Sequence, residues 1–229
     1  MKKTIGIIGA MDIEIEEIKS KMNIEETVKI ADMQFLKGTI GNTSVVLVKC
    51  GVGKVYASAC TQAMILKFNP DCIINIGVCG CLVSDLKTGD AILGQKVVQY
   101  DMDTSAIGDP VGFISGADKI YFDCDNDLVC QLEQILRHNG VNYKKGVVAT
   151  GDRFVNDSAL VKKLRDDFDA VGADMESASI GHVCYINEKP FAILRSMSDS
   201  ADENSDDDYA ISLEDAVKTN AKIIMELCK

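Results

Sequence analysis

A three-layer α/β/α single domain built on a mixed central β-sheet is what this chain of 229 residues predicts. Three observations carry that reading. Short apolar runs of strand length alternate with helical patterns from end to end, no linker or solenoid-period repeat interrupts them, and two β-rich runs meet at Gly41-Asn42 as a hairpin would. Alternation implies parallel strands and the hairpin an antiparallel pair, so the sheet is mixed, with helices on both faces. Hydrophobic residues make up 47% of the chain, which is ample for one core over residues 1–229.

In order, Ile5-Gly6-Ile7-Ile8-Gly9 marks a first strand at about 4–10. A helix at about 12–22 follows, with Met11, Ile15, Ile18 and Met22 as its apolar stripe; Glu14 lies nearest that stripe, while Glu16 and Glu17 point toward solvent. Strands at about 33–40 and 43–50 flank the hairpin, and a helix at about 53–68 closes at Asn69-Pro70, because the residue before proline leaves the helical region. Strands at about 71–77, 90–99 and 144–150 and helices at about 126–139 and 157–167 come next. A helix over about 175–187 places Glu176 with Ile180 and Val183 at i, i+4, i+7 spacing, so a carboxylate points with the apolar stripe. Pro190-Phe191-Ala192-Ile193-Leu194 begins a buried strand at about 190–197, which the chain leaves through Arg195, Ser198 and Asp199. The run from Asp202 to Asp208 is too acidic for a core and reads as a mobile surface loop before a last helix at about 211–228.

A formal net charge of −11 with no basic stripe argues against a nucleic-acid partner and for a small ligand. The nine cysteines are scattered, several inside apolar runs such as Asp71-Cys72-Ile73-Ile74, and read as reduced core residues. The first apolar run is too short for a signal segment or a membrane span, so a soluble, cytoplasmic protein is expected. Cys79 and Cys81 lack a second pair at zinc-site spacing, and His138 and His182 fall on helical segments; no metal is expected.

Three acids, Glu14, Glu176 and Asp199, fall at three element ends, and strand ends are where open α/β sheets bind ligands. Each alone has a plainer role: Glu14 favours a helix N-terminus, and Glu176 partners Arg195. Together they form a set able to supply an acid for a leaving group, a base for water and an acceptor for hydroxyls. The glycine turns Cys50-Gly51-Val52-Gly53-Lys54 and Ile76-Gly77-Val78-Cys79-Gly80 complete neither G-x-G-x-x-G nor a P-loop, so they read as chain reversals, with no cofactor phosphate. Thr150-Gly151-Asp152-Arg153-Phe154-Val155, another strand exit, offers an aromatic face.

Six ordered motifs add a resemblance: Ile5 to Met11 with Glu14, Cys50 to Lys54, Ile73-Ile74-Asn75-x-Gly77, Gly151-Asp152-x-Phe154-Val155-Asn156, Asp174-Met175-Glu176, and Arg195-x-x-Ser198-Asp199-x-Ala201-Asp202. Over essentially its whole length, with the segment from Thr104 to Cys124 matched poorly, the chain resembles the bacterial 5′-methylthioadenosine/S-adenosylhomocysteine nucleosidases of the nucleoside phosphorylase fold. The resemblance implies hydrolysis of an N-glycosidic bond without cofactor or metal, releasing adenine and a 5-thio-substituted ribose. By position, it makes Asp199 the acid that protonates adenine N7 and Glu14 the base that activates water. Glu176 becomes the acceptor for the ribose hydroxyls, with Met175 packed on the sugar. Phe154 stacks on adenine, the Val155 backbone reads its edge, and Met11, Val52 and Tyr209 line the sugar and alkylthio side. Asp174, Arg195 and Ser198 belong to the same substrate site. Many relatives carry Ser at Val78, where its hydroxyl helps hold the water; the resemblance leaves that task here to Arg195 and Glu14. Where relatives bring aromatic residues from a neighbouring subunit toward the 5′ group, this chain has Ile107 and Asp109. The resemblance further implies a homodimer whose neighbouring subunits complete each site. A purine nucleoside phosphorylase is disfavoured by Asn75, where bacterial phosphorylases carry Arg. A futalosine-type hydrolase on the same fold is a closer rival, and a non-catalytic nucleoside-binding protein is disfavoured because Glu14, Glu176 and Asp199 stand together.

Overall fold

Runs of β-branched residues fix the centre of the sheet in this computed structural model, which describes residues 3–200 and 206–229, with the side chains of 198–200, 206–212 and 215 outside the description. Strand β1 (Thr4–Gly9) lies between β4 (Thr43–Lys49) and β5 (Cys72–Cys81), parallel to both. Central strands covered on both faces cannot alternate polar and apolar residues, which is why these read as continuous apolar runs. Beyond β4, β3 (Met33–Ile40) pairs antiparallel through the Gly41-Asn42 turn, and β2 (Asn23–Ile30) forms the edge.

On the other side, β10 (Phe191–Ser200) runs parallel to β5 and antiparallel to β6 (Ala91–Gln99). Strand β8 (Tyr143–Thr150) lies parallel to both β6 and β9 (Ala170–Asp174), and β9 meets β5 antiparallel. Strands β5, β9, β8, β6 and β10 therefore close into a ring, from which β1, β4, β3 and β2 extend as an open wing. The short β7 (Tyr121–Asp123) adds to β6.

Helices α1 (Asp12–Lys21), α3 (Asn126–His138) and α6 (Asp206–Leu227) pack together, as do α2 (Lys54–Phe68) and α5 (Ser177–Ile186), while α4 (Ser158–Phe168) lies on β8 and β9. The two groups cover opposite faces: Gly6 abuts Met64 of α2, and Gly9, three residues on, abuts Ile15 of α1. The expected mixed sheet between helical layers is thus the fold observed.

Several elements differ from expectation. Strands β2, β7 and β9 have no counterpart in the sequence reading. Helix α5 starts at Ser177, so Glu176 is its N-cap residue and does not lie on its stripe. Helix α6 starts at Asp206, which moves Asp206, Asp207 and Asp208 from the expected loop into a first helical turn, where the macrodipole favours negative charge. The remainder of that expected loop, residues 201–205, lies outside the described residues. None of the nine cysteines forms a disulfide, and all but Cys130 are buried. No described helix is long and apolar enough to cross a membrane.

Candidate active site

Chain exits from the carboxyl ends of β1, β4, β5, β8 and β9 surround a cavity of about 220 Å3. Its wall brings together Met11, Glu14, Val52, Val78, Phe154, Val155, Asp174, Met175 and Glu176, all expected from the sequence, with Ala10, Cys79, Gly80, Arg153 and Ala173, which were not.

Glu14 stands at the third position of α1 and is buried. One carboxylate oxygen, Oε2, accepts from the N–H groups of Ala10 (2.6 Å) and Met11 (2.9 Å), like the acidic half of a capping box. The other, Oε1, accepts from Val78 N–H at 3.1 Å and keeps a lone pair beside the cavity. Burial raises its pKa, against the opposing pull of Arg195 and the three N–H donors. A carboxylate so held is fixed in orientation and poised to take a proton.

Glu176 accepts from Gly53 N–H at 2.9 Å through Oε1, while its Oε2 is 3.6 Å from Arg195 Nη2. The donor turn needs its glycine: Gly53 has φ +98, and a Cβ there would sit 3.0 Å from Asp152 Oδ1. Burial pushes the Glu176 carboxyl up to about 7; Arg195 opposes this, and Asp174 and Glu14 add to it.

Arg195 does not reach the cavity wall. It is 0% exposed and holds the polar core behind the site, with Nη2 2.7 Å from Asp174 Oδ2 and 2.5 Å from Asn75 Oδ1. Ser177 Oγ accepts from its Nε (3.2 Å) and Nη2 (3.0 Å). Burial works against the Arg195 charge, but Asp174, Glu176 and Glu14 outweigh it and raise its pKa. Expectation placed Arg195 and Asp174 against substrate. Asp174 does line the cavity, yet Thr150 Oγ1 (2.5 Å), Ser177 and Arg195 take up its oxygens.

Phe154 stands at the cavity edge, 59% exposed, with Val155 buried beneath. Ile107, on a 3-10 turn at Ser105–Ile107, is 82% exposed and lines no part of this chain's own cavity. The backbone of Asp199 pairs with Gly80 of the cavity wall, just past an irregularity in β10, but the side chains of Ser198, Asp199 and Tyr209 lie outside the described residues. Among the described residues no cluster of His, Cys, Asp and Glu is arranged to hold a metal. Cys50, near Glu176 and Glu14, has its thiol pKa raised by burial, which keeps it protonated and non-nucleophilic.

The missed features share a cause. Gly53 and Val78 act through backbone N–H groups that meet their carboxylates only in the folded chain. Asn75, Ser177 and Thr150 form a network across four elements; the one local clue was an Asn between Ile74 and Ile76 in an otherwise apolar strand.

A strand-end cavity lined by two buried glutamates and edged by an aromatic ring, on this mixed sheet, defines a protein of the phosphorylase superfamily, whose family model matches residues 4–229. A curated 5′-methylthioadenosine/S-adenosylhomocysteine nucleosidase of an Exiguobacterium species is 37% identical over 227 residues, 98% of this chain and 97% of its own. The nucleosidase of that name from Neisseria meningitidis, solved with methylthio-immucillin-A, superposes with a TM-score of 0.94 at 33% identity, covering 98% of each chain. Futalosine hydrolase of Helicobacter pylori superposes with a TM-score of 0.92 at 33% identity, covering 97% of this chain and 95% of that one. The chain belongs to the 5′-methylthioadenosine/S-adenosylhomocysteine nucleosidase family.

Proposed function

We propose that the protein hydrolyses the N-glycosidic bond of 5′-methylthioadenosine and S-adenosylhomocysteine, and of 5′-deoxyadenosine, as one nucleosidase domain over residues 1–229. The observation that carries this is the pair of buried carboxylates, Glu14 and Glu176, on the cavity wall. Adenine stacks on Phe154 with its edge read by the Val155 backbone, and Asp199 protonates N7, turning the base into a better leaving group. Departure of the base leaves an oxocarbenium-like sugar, which the two glutamates stabilise by their charge. Glu176 accepts from the ribose hydroxyls, Met11, Val52, Met175 and Tyr209 pack on the sugar and its 5′ group, and Glu14 takes a proton from the attacking water. Arg195 acts from behind, its charge offsetting part of that of both carboxylates.

The same pair argues against phosphorolysis, because a phosphate dianion brought beside two glutamates would be repelled. Asn75, where a phosphorylase would need a cation, is fully buried and holds Arg195 and the Ile8 carbonyl. A second copy of the chain covers the exposed apolar residues Val52, Val55, Tyr56 and Ile107, of which Val52 lines the cavity, giving a cytoplasmic homodimer that serves methionine salvage and recycling of S-adenosylmethionine by-products.

Purified protein is incubated with methylthioadenosine, inosine and futalosine, with and without phosphate, and the released base and sugar are identified. Adenine and free methylthioribose, at a rate independent of phosphate, are expected. A sugar 1-phosphate would overturn the hydrolytic reading, and faster cleavage of futalosine would move the assignment to the neighbouring hydrolase.

A further inference from the structure

Asp174 ends β9 at the point where three elements converge, and its carboxylate is bonded to all of them. Oδ1 accepts from Thr150 Oγ1 at the end of β8 (2.5 Å) and from the N–H groups of Glu176 and Ser177 at the start of α5 (3.3 Å each). Oδ2 accepts from Ser177 Oγ and from Arg195 Nη2, the latter at 2.7 Å. Arg195 is thus bound to one carboxylate and stands 3.6 Å from the next, Glu176 Oε2, beyond hydrogen-bond distance. Glu176 lines the cavity, and among the described residues none donates a hydrogen bond to that oxygen.

We propose that Asp174 is a positioning residue that holds Arg195 away from Glu176, so that Glu176 stays open to the sugar hydroxyls. It has no bond to offer the substrate; it decides which carboxylate the guanidinium satisfies. A buried guanidinium that loses its nearest anion turns to the next one, and the next one is Glu176. In doing so it would occupy the acceptor that recognises the ribose. The inference rests on the proposed function only in identifying that ligand as a ribose; the ion-pair geometry itself does not.

The test is Asp174→Asn, which keeps the shape and removes the charge. In a crystal structure of the ligand-free variant, Arg195 is expected to pair directly with Glu176, at about 2.8 Å. An Arg195 that keeps its wild-type distance from Glu176 overturns the proposal whatever the protein's activity. The kinetic counterpart compares kcat/KM for methylthioadenosine and its 3′-deoxy analogue. A charged acceptor should favour the hydroxylated substrate by about tenfold or more in the wild type, and that ratio should collapse toward one in the variant. Loss of fold alone would lower both substrates together and leave the ratio standing, which would count against the proposal. Should Asp174→Asn fail to fold, Ser177→Ala removes the hydroxyl that ties Arg195 to Asp174 and should give a partial loss of the ratio; an unchanged ratio there is equally adverse. Thr150→Val, which touches Asp174 on the side away from Arg195, should lower the melting temperature and keep the ratio. A wild-type protein that cleaves neither substrate would sink the functional reading, and the crystal structure would still decide the role of Asp174.

Discussion

Burial raises the pKa of the Glu14 carboxylate against the pull of Arg195 and of three backbone N–H donors, so its surroundings favour its taking a proton without letting it rotate. In Glu14→Gln the amide nitrogen must face one of those N–H groups, donor against donor, and no base is left for water. Turnover is expected to fall about 10²–10⁴-fold, with a similar fall for Asp199→Asn, whose amide cannot protonate N7. Steady-state kinetics beside a thermal melt checks both; near-wild-type turnover in a folded variant removes that residue from the mechanism. Val78 poses a subtler case, because the bond it gives Glu14 comes from its backbone and survives a side-chain change. A hydroxyl there would add one hydrogen bond to the attacking water, about 0.5–1.5 kcal/mol, or up to roughly tenfold in rate if felt only in the transition state. Val78→Ser should therefore raise kcat modestly while lost apolar packing takes about 1 kcal/mol from stability. A several-fold drop in kcat in the folded variant would mean that Val78 packs against the sugar in a way the reaction needs.

Strand β5 shows how one element sets the site's tolerances. At Gly77 the backbone has φ +152, and a Cβ would fall inside contact distance of Arg195 Nη1 and 2.5 Å from Glu14 Oε1. Neither neighbour can yield, since both are buried and hydrogen-bonded. Gly77→Ala is expected to cost about 2 kcal/mol or more and most of the activity, readable by denaturant titration and assay; a neutral result would show that the two charged groups can separate freely. Legibility in the sequence follows the same physics. The apolar runs of β1, β4 and β10 announce themselves because both faces are covered, whereas edge strand β2, with Asn-Ile-Glu-Glu-Thr at its start, carries no such pattern. Strand β9 is five residues of Ala, Val, Gly and Asp, too short and too small to register. Glu176 was recognisable as an acid among apolar neighbours, but its phase was misjudged: Asp174, by accepting from the N–H groups of Glu176 and Ser177, starts α5 one residue beyond it. Backbone donors 64 and 123 residues away in the chain, at Val78 inside β5 and at Gly53 before α2, could not have been read at all; the turn expected over residues 76–80 is itself part of β5.

Across the whole molecule, the buried charged residues among those described are three carboxylates, Glu14, Asp174 and Glu176, against one cation, Arg195. Such a core is short of positive charge until the reacting sugar supplies some, so the ligand-free fold bears an electrostatic cost that the reaction turns to use. Burial holds the Glu176 pKa at about 7 against an ordinary 4.5, so between those values the folded protein binds a proton that the unfolded chain has released. Stability from this group is therefore fully present below about pH 4.5 and is lost as pH rises through about 7. At about 1.4 kcal/mol per pH unit, the loss is roughly 3.5 kcal/mol, or several degrees of melting temperature for a chain of this length. Glu176→Gln mimics the protonated acid at every pH. Melting curves of the ligand-free proteins should nearly coincide below about pH 5, separate up to about pH 7 and hold that gap above it, with the variant melting several degrees higher at pH 8 although its catalysis is impaired. Parallel curves from pH 5 to 8 would mean that Arg195 compensates Glu176 fully in the resting fold, and that the site holds no unbalanced charge for a cationic sugar to neutralise.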